Sequence, residues 1–106
     1  MLYTGEVATG AAATIYTAPA PTPGIPDSGS PVVINFVRVV NQSGAARTFT
    51  LYCNITGTDV ALTPIDTQLP IGSLWDDLPV FLIPARATLK ATASAANVFF
   101  SVNASI

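Results

Sequence analysis

The chain has 106 residues, about one domain by length, and half of them are apolar. Only 9% are charged, four basic against six acidic for a net charge of −2, with no histidine and one cysteine; a soluble domain carries roughly 25%. Four basic side chains cannot supply a nucleic-acid-binding patch, one cysteine excludes an internal disulfide or multi-cysteine zinc site, and without histidine the commonest general base and metal ligand are missing.

Residues 2–7 form a weak strand pattern. Residues 8–13 are rich in alanine, but Gly10 and the neighbouring threonines argue against a helix. Residues 14–17 are a short apolar run expected to be a strand. Pro19, Pro21, Pro23, Pro26 and Pro31 then fall within 13 residues, interleaved with glycine and serine. Such a run cannot join a central sheet and favours extended or turn conformations. It reads as a long loop or as an arm, residues 19–31, that touches a partner through Pro19, Pro21, Pro23 and Pro26.

Residues 32–40 come next, with Val32, Ile34, Phe36, Arg38 and Val40 on one side and Val33, Asn35, Val37 and Val39 on the other. Both sides are largely apolar, as in a strand covered on two faces. Residues 47–56 alternate cleanly: Phe49, Leu51, Cys53 and Ile55 inward, and Thr48, Thr50, Tyr52, Asn54 and Thr56 outward. The polar turn Asn41-Gln42-Ser43-Gly44 between these two segments predicts an antiparallel hairpin. Residues 56–59 break the pattern, 60–63 are a weak strand candidate, and 70–79 read as a loop carrying Trp75. Residues 80–83 are a short strand. Thr88–Ala93 and residues 98–106 alternate again, and Ser94-Ala95-Ala96-Asn97 predicts a second hairpin between them. About seven to eight short strands without helices make an all-β fold, a single antiparallel, jelly-roll-like β-sandwich domain over residues 1–106.

Nothing in the N-terminus resembles the basic and apolar regions of a signal peptide. The longest charge-free stretch is broken by prolines and glycines, so no membrane segment is expected. The expectation is a protein made and kept in a cytoplasm. Thirteen threonines and seven serines must do what Lys and Glu usually do on a surface. Weak charge repulsion leaves association unopposed. Together with the two-sided apolar strand, this predicts a homo-oligomer, expected to be a trimer.

Candidates for chemistry are few. Asp76 and Asp77 are adjacent, so on a strand they point to opposite faces; Asp59 and Asp66 could join them at a hard cation only if a turn gathered them. Cys53 sits on an inward face with no histidine to activate it and reads as a small buried hydrophobe. A Ser–Lys pair with Lys90 has no supporting spacing. Trp75 either plugs an end of the sandwich or is an exposed anchor for a sugar or a subunit. Tyr16, Tyr52 and Phe99 are further outward-facing aromatics. The Asn-x-Ser/Thr triplets at Asn41, Asn54 and Asn103 read as parts of a polar surface. No catalytic residue, cofactor or metal is expected.

Thr14-Ile15-Tyr16-Thr17-Ala18-Pro19, then Arg38-Val39-Val40-Asn41, Thr48-Phe49-Thr50-Leu51-Tyr52, Leu82-Ile83-Pro84 and Leu89 through Ala96 together resemble the small β-sandwich structural proteins of tailed-phage particles. The likeness covers roughly residues 14–102. This chain departs from the pattern in its proline-rich insert after Pro19 and in Pro84-Ala85-Arg86, where a glycine-containing turn is usual. The resemblance implies a non-enzymatic virion part, made in the host cytoplasm. Its first reading is a capsid decoration or cement protein bound to the major capsid protein. The alternative is a tail or fibre component, with Trp75 and loop aromatics reading host carbohydrate. Neither nucleic acid nor membrane is an expected partner.

Overall fold

The computed structural model describes residues 1–21, 23–24 and 29–105. They contain ten strands and no helix: β1 (Leu2–Glu6), β2 (Ala13–Thr17), β3 (Val32–Asn41), β4 (Arg47–Asn54), β5 (Asp59–Ala61), β6 (Thr67–Leu69), β7 (Leu74–Trp75), β8 (Phe81–Ile83), β9 (Thr88–Ala93) and β10 (Val98–Ser105). The expected β-sandwich is present, with ten strands rather than seven to eight. The extra strands are two or three residues long, too short to show a period of two. β6 and β7 flank and occupy the stretch that reads as loop.

Two antiparallel sheets make the sandwich. The first runs β1-β10-β3, with β7 and β8 side by side along the far edge of β3; the second runs β2-β9-β4, with β5 and β6 along the far edge of β4. Val32, Ile34, Val37, Val39, Val98 and Val102 of the first sheet meet Phe49, Leu51, Leu89 and Ala91 of the second, all at most 2% exposed. β-Branched residues dominate one side of this core because they suit a pleated, half-buried surface.

Both expected hairpins are absent. β3 and β4 lie in different sheets, and so do β9 and β10. Each connection is an arch that carries the chain across the sandwich. Residues 42–46 and 94–97 are long enough to cross the ~10 Å between packed sheets, and neither holds the two-residue Asn-Gly or Asp-Gly loop that closes a tight hairpin. Alternation alone cannot separate the two connections, since either one keeps the same side chains facing the core.

Asn41 holds the first arch. Its side chain is buried, 2% exposed. The amide nitrogen donates to the carbonyls of Ala45 (2.8 Å), Leu69 (3.0 Å) and Pro70 (3.2 Å). The amide oxygen accepts from the Ser43 backbone N–H (2.9 Å) and hydroxyl (2.6 Å). The second arch packs beside it, where Gln42 N–H donates to the Asn97 carbonyl at 2.9 Å and Arg47 Nε donates to the Ala96 carbonyl at 3.2 Å. The one tight strand-to-strand turn along this part of the chain is residues 55–58, joining β4 to β5, where Gly57 takes a positive φ of 93°.

Bulges change which side chains face inward. In β3, Asn103 opposes Phe36 but the next residue, Ala104, opposes Ile34. Asn35 is therefore an extra residue, and the inward set switches from Val32 and Ile34 to Val37, Val39 and Asn41. The two-sided apolar pattern expected from strict alternation is partly this switch. Asn35 turns outward and donates to Asn103 Oδ1 (2.7 Å) and Ser105 Oγ (2.9 Å). In β2 the register shifts around Ile15, so Tyr16 pairs with inward-facing Leu89. Tyr16 is thus buried at 7% exposure and stacks at a tilt on Tyr3, 5.0 Å between ring centres; it does not face outward.

Two expectations within β4 also change. The strand ends at Asn54, and Ile55 is 57% exposed. Thr50, on the outward side, is 1% exposed because the segment after β5 folds over it: Asp66 N–H donates to Thr50 Oγ1 (2.9 Å) and Leu51 N–H to Thr63 Oγ1 (3.1 Å).

Candidate functional site

Registers sort the outward residues of the two sheets. Directly paired residues share a face. On the second sheet, Lys90 pairs with Thr14 and Tyr52, Thr88 with Thr17 and Asn54, and Thr92 with Thr50. That outer face is a carpet of threonine with a few larger polar groups. On the first sheet, Val40 pairs with Phe99 and Leu74, Val33 with Leu82 and Ser105, and Phe36 with Asn103, which pairs in turn with Leu2.

The outer face of the first sheet carries apolar side chains at both ends. Leu74, Val40 and Phe99 adjoin at one end; at the other, Leu82 and Val33 adjoin, and Asn35, Asn103 and Ser105 lie among these two, Phe36 and Leu2. A row of Arg38, Ser101 and Thr4 separates the two ends. Leu2, Leu74 and Leu82 are 55%, 53% and 63% exposed. Fully burying such a side chain stabilises by roughly 1.5–3 kcal/mol, so covering the part still exposed contributes about 1 kcal/mol each.

The charge on this face is contained. The Arg38 guanidinium lies 4.2 Å over the Phe36 ring and 4.0 Å from the Asp76 carboxylate, with both side chains about half exposed. Glu6, at the β1 edge, accepts from the Asn97 backbone N–H at 3.0 Å.

The expected contact residues fall elsewhere. Pro19, Pro21 and Pro23 are exposed; Pro26 lies outside the described residues. The segment leaves the sandwich beside Ala18, whose N–H donates to the Ala87 carbonyl at 2.9 Å and whose carbonyl accepts from Arg86 N–H at 3.2 Å. Trp75 faces inward opposite Val39. Its ring meets Phe49 edge-on, 5.1 Å between centres, and packs on the core half-buried.

An apolar cleft of about 450 Å³ opens at one end of the sandwich, between β5 and β8, lined by Ile55, Val60, Leu62, Phe81, Leu82 and Cys53 among others. Cys53 itself is 8% exposed, and burial pushes its thiol pKa above the usual value. That is the reverse of an activated nucleophile. Lys90 Nζ sits 3.4 Å from Asp59 Oδ1, which also accepts from Asn54 Nδ2 at 2.8 Å. The Asn54 hydrogen bond holds the Asp59 carboxyl below the ordinary range against the opposing effect of burial, and Lys90 adds to the lowering.

No group of three or more Cys, Asp or Glu gathers as a metal site among the described residues, and no helix there is long and apolar enough to cross a membrane. The triplet asparagines have local structural work. Asn41 is buried in its arch, Asn54 clamps the β4–β5 turn through Gly57 N–H at 2.9 Å, and Asn103 receives Asn35. Asn41 is thus a core residue and not part of a polar surface. Strict alternation hid the apolar face, because it cannot be assembled until the β3 bulge and the placement of β7 and β8 beside β3 are known. Comparison with known families, with curated proteins and with solved structures finds no match.

Proposed function

We propose that this chain is a non-enzymatic structural protein of a tailed-phage virion, a capsid decoration (cement) protein that binds the major capsid protein and stabilises the shell. The observation that carries the association reading is the apolar outer face of the β1-β10-β3 sheet on a chain with 9% charged residues. A surface of that kind is stable in an assembly, where neighbours exclude water from it. The resemblance in strand sequence supplies the virion context. Repeated copies on a symmetric shell turn weak single contacts into avidity, and residues 19–31 are the segment offered to the capsid. The chemistry available agrees with a passive role: the thiol is buried and its pKa raised, and Lys90 is held by Asp59.

A tail or fibre role reading carbohydrate through Trp75 has less in its favour, because that ring is packed on Phe49. Quantitative mass spectrometry of purified particles tests the proposal through copy number relative to the major capsid protein. Hundreds of copies per particle are expected. A few to a few dozen would move the protein to the tail, and absence from the particle would end the virion reading.

A further inference from the structure

We infer that the apolar cleft between β5 and β8 is the docking site of an extended, uncharged segment of a partner protein. The segment lies along the free edge of β8 as an added strand and turns alternate apolar side chains onto Val60 and Leu62. The inference rests on the reading of the protein as an assembling subunit and names the kind of chain that this side of it binds.

A mismatch between facing and burial carries it. Val60 pairs with Cys53, so the two share the core-facing side of the second sheet. Cys53 is buried, yet Val60 is 61% exposed. In the first sheet Phe81 pairs with the fully buried Ile34 and is itself only half-buried. At the opposite side of the sandwich the gap between the sheets is closed by Tyr3 against Tyr16, 5.0 Å between ring centres. Here the inward faces run on into an open cleft of about 450 Å³, within the range of roughly 300–1,000 Å³ for specific binding sites. Ile55 and Leu82, which also line it, are more than half exposed.

The strand edge and the charge select the occupant. β8 pairs with β3 alone, and among the described residues no strand lies on its other side. Such an edge presents unpaired backbone N–H and C=O groups. A small molecule or a helix would fill the apolar slot and leave those groups to water. An extended chain satisfies both, its main chain on the edge and alternate side chains in the slot. None of the residues lining the cleft is charged, and the Asp59 carboxylate beside it is already paired with Lys90 at 3.4 Å. A charged segment would lose its hydration there without a counter-ion, so the fitting segment is neutral. Pro79 and Pro84 flank the edge, and proline has no N–H to give, so the added strand is short. One contact is then weak, and repetition over an assembly supplies the strength.

The test is titration of the full, isotope-labelled chain with the blocked peptide acetyl-Thr-Val-Thr-Val-Thr-amide, followed by backbone amide resonances. Saturable binding with a dissociation constant below about 1 mM is expected, with shifts centred on Val60, Phe81 and Leu82. Val60→Asp puts a carboxylate into the slot and should weaken binding about tenfold or more. Ile71→Asp, at an equally exposed residue outside the cleft, should leave it unchanged. The unaltered protein gives the same answer from the ligand side if a variant fails to fold. Methylating every backbone nitrogen of the peptide removes its donors, replacing both valines with serine removes its apolar side chains, and either change should abolish binding. No shift at about 2 mM peptide would overturn the inference. So would a methylated peptide that binds like the parent, or cyclohexanol filling a cleft that the peptide does not enter. Self-association of the unaltered chain that Val60→Asp abolishes would give the cleft to a second copy and overturn the inference as well. Peptide binding by a protein absent from purified particles would sink the virion reading and leave this inference standing.

Discussion

Replacing Asn41 with alanine should cost about 2–4 kcal/mol. Its amide nitrogen has two protons shared among three carbonyls, and its oxygen accepts twice from Ser43. Each hydrogen bond is worth a net ~1 kcal/mol, and a buried partner left unpaired costs ~1–3. The bond to the Leu69 carbonyl is the fully buried one, so that carbonyl loses most. Ala45 and Pro70 are exposed residues and can recover water. Urea unfolding followed by circular dichroism reads the change, with the denaturant slope preserved because the same surface is exposed on unfolding. Asn41→Asp separates hydrogen bonding from packing. At neutral pH a carboxylate there faces three carbonyl oxygens with no proton to donate, so its folded pKa is raised. A raised folded pKa means stability that is present below the unfolded value near 4 and is lost as pH rises through the folded one. Asn41→Asp should therefore recover part of its loss in acid. A loss below about 1 kcal/mol for Asn41→Ala, or an Asn41→Asp variant indifferent to pH, would refute the role of Asn41 as the pin of the arch.

Three further outcomes are expected. Cys53→Ala should cost about 1 kcal/mol by chemical denaturation for the buried sulfur it deletes, and the native thiol should react with a polar disulfide reagent far more slowly than in urea; labelling at equal rates would place it outside the core. Arg86 holds a φ of 69° in the Pro84–Ala87 turn, which costs a side-chain-bearing residue roughly 1–2 kcal/mol, so Arg86→Gly should stabilise by about 0.5 kcal/mol after the entropy glycine loses on folding; a melting temperature that falls would show that the arginine side chain contributes more than the turn strain. Exchanging residues 20–30 for a Gly-Ser linker of equal length should leave the melting temperature within a degree or two and weaken particle binding, since proline restricts the free chain and lowers the entropy lost on docking; binding that matches the parent would make the segment a tolerated loop.

Strand positions were legible because the long strands carry a clean period of two over eight or more residues, as β4 and β10 do. Strand partners were not. The turns after Asn41 and after Ala93 look like hairpin turns because polar residues of that length also make arches, and only the buried Asn41 side chain distinguishes them. Single extra residues mattered as much. Asn35 in β3 and the shift at Ile15 in β2 each reverse the facing of the residues beyond them, placing Tyr16 inside and turning Phe36 and Arg38 to the face opposite Val32 and Ile34. The threonines mislead in the other direction: Thr50 reads as surface until the chain from Leu62 to Asp66 closes over it. Trp75 lies on a two-residue strand, too short for any pattern to say which way the ring points.

The low charge acquires its meaning only when the two faces are separated. A neutral monomeric domain would spread its uncharged surface evenly, with threonine and serine replacing lysine and glutamate on every strand. The β2-β9-β4 sheet does this. Threonine suits it because the branched carbon packs on the pleat while the hydroxyl stays hydrated, and the Lys90–Asp59 pair supplies what little charge that face has. The other sheet does not obey the rule. Leu2, Leu74 and Leu82 remain more than half exposed there, with Val33, Phe36, Val40 and Phe99 between them. The chain could have placed threonine at those positions at no cost to its strands, as it did on the opposite sheet. Leucines more than half exposed on the outer face of one sheet, opposite a threonine-covered outer face on the other, are the asymmetry that favours the assembly role proposed above.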